Sequence, residues 1–207
     1  MNATASSESS CVISDDNTEL RVKGRTIDEL CESLAFTKQE DNEDPIDFCK
    51  STCLIHDRLG TYNATGESIT AVLGITLSSD KKKYDPDVIR DCEQDFREFY
   101  SVIMSGKVTA DIEKDVSSAS NSVIELLASS YSYFVALGIS RKNYVGLVPR
   151  ETRIGDKVVL LSGGRLPFIL RPVGDHFQLI GGCYMHGYMK GEAWPEDEEA
   201  LQEIIIR

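Results

Sequence analysis

The chain has 207 residues and a formal net charge of −12, with 41% hydrophobic and 27% charged residues, enough for one full domain with a buried interior but not two comfortable ones. So large an acidic excess argues against nucleic acid or an anionic membrane as partner, since affinity for both rests on Lys and Arg neutralising phosphates. No run approaches the roughly 18 apolar residues that cross a bilayer, and the N-terminus shows neither the basic nor the apolar region of a secretory signal, so a cytoplasmic location is expected.

Residues 1–17, rich in Ser, Asn, Thr and acids, are expected to be a disordered lead-in. From there Glu19-Leu20-Arg21-Val22-Lys23-Gly24 alternates with the period of a half-buried strand, giving an early strand near 18–24. An acidic run at 40–44 ends in Pro45, which suits the first turn of a helix, because proline has no donor to lose there and acids favour that end of the dipole. That helix is expected to reach about Leu59, and a shorter one to occupy 67–77. A charged turn at 80–83 and Asp85-Pro86 precede Val88, Ile89, Cys92, Phe96, Phe99, Tyr100 and Ile103, whose spacing predicts an amphipathic helix. Val123, Leu126, Leu127 and Tyr131 continue the helical period.

The period then changes. Residues 133–137 and 144–148 flank a polar turn and predict a hairpin, and strands are expected at 157–161, 168–173 and 176–185 between Ser-Gly-Gly and Val-Gly-Asp turns. A helix start is expected at 196–203 and a last buried strand at Ile204-Ile205-Ile206. The fold class is α+β: a small antiparallel β-barrel, mostly residues 132–192 plus the early strand, in a single domain over 18–207 with a helical insertion at about 44–131.

Five short runs carry a family resemblance: Tyr144-Val145-Gly146-Leu147-Val148-Pro149, Thr152-Arg153-Ile154-Gly155-Asp156, Pro167-Phe168-Ile169-Leu170-Arg171-Pro172, Tyr184-Met185-His186-Gly187 and Met189-Lys190-Gly191-Glu192-Ala193. In order and spacing they resemble the C-terminal barrel region of fungal heterokaryon incompatibility proteins. Upstream, Leu20-Arg21-Val22-Lys23-Gly24-Arg25 with Ile27-Asp28 resembles that family's early strand, and Thr76-Leu77 with Asp80 echoes a weaker motif. The sequence departs from the pattern at Gly182 and Lys190, where acids are expected, and no tryptophan precedes Thr76. The family's N-terminal domain has no counterpart in these residues, so the cell-death activity attributed to that domain is not carried over.

Few ready constellations for chemistry are present. Gly163-Gly164 and Gly181-Gly182 lack the spacing of a phosphate cradle and read as turn and bulge glycines. Cys49, Cys53 and His56 share one helical face as an incomplete soft-metal set, with buried thiols beside a surface histidine as the plainer reading, so no metal and no cofactor are expected. The six cysteines lack the dense spacing of a disulfide scaffold, so reduced thiols are expected, and the sequons at Asn2 and Asn63 are expected to be silent. Arg141, Lys142, Arg150 and Arg153 read as solvated loop charges.

The candidate catalytic residues lie in the strands. Arg171 stands in an otherwise apolar run, where alternation would aim its guanidinium into the barrel. Tyr184 and His186 share a face two residues apart, and Glu192 is the expected partner of Arg171 or His186. The same residues also suit an internal network that merely fixes the barrel. Two functions follow. One is a barrel that binds a small apolar metabolite in fungal specialised metabolism, with cofactor-independent cyclase or isomerase (cycloaddition-type) chemistry on a terpenoid or polyketide. The other is a non-enzymatic recognition module that binds a protein partner.

Overall fold

A computed structural model describes residues 2–4, 11–35, 45–61, 64–78, 86–106 and 135–207. Along them run β1 (Cys11–Ile13), β2 (Leu20–Ala35), α1 (Pro45–Leu59), α2 (Ile69–Leu77), α3 (Pro86–Met104), β3 (Val135–Ser140), β4 (Val145–Pro149), β5 (Lys157–Leu161), β6 (Phe168–Val173), β7 (His176–Gly182), β8 (Tyr184–Met185) and β9 (Gln202–Ile206). The fold is α+β, and the chain divides into a sheet unit, Met1–Ser33 with Gly138–Arg207, and a helical unit, Leu34–Leu137.

In the sheet unit β2 is the spine. Its residues 20–24 pair antiparallel with β9, its residues 24–29 pair antiparallel with β5, and Gly24 takes part in both ladders. Strands β5, β6 and β7 follow as an antiparallel meander, and Phe177 of β7 meets Ile206 of β9 in parallel register. The pairings thus run from β2 through β5, β6, β7 and β9 back to β2, while β3, β4 and β8 extend from β2 in that order. Val22, Val159, Leu161, Leu170, Ile204 and Ile206 form one buried cluster, with Leu20, Phe168 and Phe177 packed against it, so every strand of the circuit contributes to it. Burying each such chain is worth roughly 1.5–3 kcal/mol.

In the helical unit α2 is buried along eight of its nine positions. Ser68 caps it by accepting the Ala71 N–H at 3.1 Å. A Cβ at Gly74 would lie 2.1 Å from the carbonyl oxygen of Cys92, so the contact of α2 with α3 requires glycine. The amphipathic face expected for α3 is present, with Cys92, Phe96, Phe99 and Ile103 buried.

The expected helix starting at Pro45 and the strands at 157–161 and 168–173 form as the patterns indicate. The early strand is longer than expected, sixteen residues, because pairing with β5 and β3 outweighs the weak strand preference of the Asp, Glu and Ala residues at 28–35. The helix expected at 196–203 is replaced by a 3-10 turn, Glu198–Ala200, and by β9, whose Gln202 and Glu203 are held in the ladder with Gly24 and Lys23. Part of the expected disordered lead-in is built into the sheet unit. Cys11, Val12 and Ile13 pair with β2, while Ala3 and Thr4 are buried, with Thr4 Oγ1 donating to the Gly164 carbonyl at 2.8 Å. The helical pattern at 123–131, the acidic run at 40–44 and the charged turn at 80–83 lie outside the described residues.

Candidate functional site

Arg171 lies on β6, but it does not point into the cluster of the strand circuit. Phe168 and Leu170, two residues apart, take the interior face of β6, so the regular alternation of the strand puts Arg171 on the other face. The guanidinium instead reaches the turn between β4 and β5. Its Nε and Nη2 donate to the two oxygens of Asp156 at 2.9 and 2.8 Å, and Nη2 also donates to the Glu151 carbonyl at 2.7 Å. The Asp156 side chain is only 3% exposed, so a bidentate cation is what makes its charge tolerable there. The same turn is tied to the spine: Leu30 N–H donates to the Asp156 carbonyl and Gly155 N–H to the Leu30 carbonyl, each at 2.9 Å.

Tyr184 and His186 are brought together as expected, with the phenol oxygen 3.0 Å from Nδ1. His186 is buried, and its N–H donates to the Val145 carbonyl, extending the pairing of β4 with β8. Glu192 is not the acid that meets Arg171. It is exposed, and its carboxylate accepts the Lys190 N–H two residues away at 2.6 Å. Sequence reasoning missed Asp156, although an Arg in an apolar strand demands a carboxylate and the Gly155-Asp156 turn offered one.

A second polar cluster lies in the helical unit. The His56 ring packs against those of Phe96 and Tyr100, with centroid distances of 5.5 and 4.9 Å. Its Nδ1 is 3.0 Å from the Asp57 carboxylate and its Nε2 is 3.0 Å from Thr70 Oγ1. The Tyr100 hydroxyl donates to both Asp57 oxygens at 2.9 Å. The bonds from His56 and Tyr100 hold the Asp57 carboxyl below its usual range, and the bond to Asp57 raises the Tyr100 phenol. His56, Thr70, Phe96, Arg97 and Tyr100 line a pocket of about 320 Å³. The adjacent His56-Asp57 pair was a visible signal in the sequence, but Thr70 and Tyr100 come from other helices.

The soft-metal set is not assembled. Burial, helped by the Asp57 charge, pushes the Cys53 thiol up to about 12, whereas a ligand must be thiolate, and both His56 nitrogens face other partners. Among the described residues no group of three or more His, Cys, Asp or Glu side chains is arranged to hold a metal ion. Among the same residues no helix is long and apolar enough to cross a membrane.

A circuit of strands around one apolar cluster defines the class, and family comparison agrees. Residues 89–201, more than half of the chain, match the Het-6 beta-barrel domain, and the chain belongs to that family. It is similar to Heterokaryon incompatibility protein 6, OR allele, of Neurospora crassa, at 38% identity over 58 residues. That alignment covers 26% of this chain and 8% of the Neurospora protein. No solved structure matches.

Proposed function

We propose that the sheet unit is a small β-barrel serving as a non-enzymatic recognition module, related to heterokaryon incompatibility proteins and binding a protein partner in the cytoplasm. One observation carries this: all five strands of the circuit fill the interior with their own side chains, and Arg171, the best candidate for interior chemistry, is turned away and closed off by Asp156. A packed interior leaves recognition to the outer surface. Val12 and Ile13 on β1 and Leu179 on β7 are large apolar side chains exposed there. The net charge of −12 favours a basic protein surface over nucleic acid or membrane, with an on-rate that falls as salt rises. The six cysteines, all among the described residues, form no disulfide, which supports a reducing compartment.

Capture from a lysate of the source organism, with chemical cross-linking at low and high salt, tests the proposal. A salt-sensitive partner cross-linked to sheet-unit residues is expected, and no small molecule should be released from the purified chain on denaturation. A stoichiometrically retained metabolite, or no protein above background, contradicts it.

The second reading, a barrel acting on a small apolar metabolite, is favoured by the Tyr184–His186 contact, since a phenol held by an imidazole can polarise a carbonyl. A metabolite from the same extract cyclised or isomerised by the wild type but not by Tyr184→Phe would establish it in place of the first.

A further inference from the structure

The pocket belongs to the helical unit and has no part in the recognition role proposed for the sheet unit. Three helices supply its wall: His56 from α1, Thr70 from α2, and Phe96, Arg97 and Tyr100 from α3. The polar atoms on this wall are not independent caps. They form one chain of contacts, from the Tyr100 hydroxyl to the Asp57 carboxylate, from there to His56 Nδ1, and from His56 Nε2 to Thr70 Oγ1. The tautomer with its proton on Nδ1 satisfies every member: Nδ1–H donates to the carboxylate and Nε2 accepts the threonine hydroxyl. This is the nitrogen assignment that a nucleophile, general base and orienting acid require.

The geometry points to Thr70 as an acyl-accepting nucleophile activated by His56, in a site for small acyl esters between α1, α2 and α3. Thr70 and His56 are the catalytic residues; Asp57 and Tyr100 are positioning residues that hold the imidazole in its tautomer. The Phe96 and Tyr100 rings both pack against the imidazole. Thr70 stands in the first turn of α2, at the positive end of the helix dipole, which favours negative charge formed beside it. Arg97 donates to Glu93 at 2.5 Å, and its guanidinium has further N–H groups suited to a carbonyl or carboxylate on the ligand. A volume of about 320 Å³ is at the lower end of ligand sites, which limits the substrate to a compact ester.

In the step itself, Thr70 Oγ bonds to the ester carbonyl carbon while His56 Nε2 takes the hydroxyl proton. The tetrahedral intermediate expels the alkoxide, which leaves with that proton, and the acyl group stays on Thr70. Water then attacks the acyl carbon, giving its proton to His56. The C–O bond to Thr70 breaks, the carboxylic acid departs, and the proton returns to Thr70. No oxidant or cofactor is consumed.

The test uses the full chain, p-nitrophenyl acetate as substrate and a fluorophosphonate as a covalent probe, with the labelled residue located by peptide mass spectrometry. Probe attachment at Thr70 is expected, with a hydrolysis rate roughly 100-fold above that of Thr70→Val or His56→Gln, the scale of general-base catalysis. Asp57→Asn should lower kcat with KM held. No label on Thr70, a label on another residue instead, or a Thr70→Val rate within threefold of wild type overturns the assignment. Because labelling is read on the wild type, it decides the question even if a variant fails to fold.

Discussion

The two polar clusters, Arg171 with Asp156 in the sheet unit and Asp57, His56, Thr70 and Tyr100 in the helical unit, differ in how they end. In the first, a cation and a carboxylate satisfy each other bidentately, a backbone carbonyl takes a further guanidinium N–H, and the carboxylate is almost wholly buried. Both Asp156 oxygens meet the guanidinium, and one of them also accepts the Arg153 N–H at 2.8 Å. In the second, the hydrogen bonds run in sequence, and the chain finishes at a hydroxyl and an imidazole on a pocket wall. The difference teaches that an ionisable residue in an apolar run is not in itself a sign of chemistry. A closed pair fixes the fold, whereas an open relay has a terminal group with work to do.

The largest effect that sharpens this contrast is expected from Arg171→Ala. Leaving Asp156 buried and without its cation should cost about 3 kcal/mol, the low end for breaking a buried pair because the Arg171 side chain is 18% exposed. Chemical denaturation followed by the fluorescence of Trp194, the single tryptophan, measures it. Ester turnover per folded molecule should not change, and a loss of turnover at full stability would erase the distinction between the clusters.

A smaller effect, roughly 1–3 kcal/mol, is expected from Gly74→Ala, whose new methyl group must displace the Cys92 carbonyl and move α2 off α3. Here turnover should fall with stability, because α2 carries Thr70. A neutral Gly74→Ala would show that the helices are less closely packed than described.

The smallest effect is the acid response. Arg207 and then Arg21 hold the Glu19 carboxyl below its usual range, and Lys157 and then Arg141 do the same for Glu29. A carboxylate depressed in the folded state stabilises above its unfolded value near 4.5 and loses that contribution as pH falls through the lower folded value. The denaturation midpoint reported by Trp194 should therefore be steady down to about pH 5 and fall below about pH 4. A midpoint that does not change between pH 6 and pH 3 would deny these ion pairs any role.

Much of the fold was legible because local pattern and tertiary context agree. Pro45 and Asp85-Pro86 mark helix starts, the aromatic spacing of α3 marks its buried face, and the unbroken apolar run Val158-Val159-Leu160-Leu161 is buried throughout. Sequence misled where a long-range ladder overrides propensity, as in residues 28–35 of β2 and at Gln202 and Glu203. For the candidate site, the Tyr184–His186 contact was legible from period-two spacing, because both residues lie on one short segment. Arg171 was misplaced because its run is apolar on both faces, with Ile169 and Leu170 both buried, so alternation alone does not say which face meets the cluster. Thr70 and Tyr100 were not legible, since their meeting with His56 and Asp57 depends on how three helices pack.

The central claim, that Arg171 closes a structural lock and is not a catalytic group in the barrel, is tested most directly by a double-mutant cycle on Arg171→Met and Asp156→Leu in denaturant unfolding. Two costly single variants, a double variant clearly less destabilised than their sum, and a coupling energy of about 2–3 kcal/mol are expected. Single effects that add to within about 0.5 kcal/mol would contradict it.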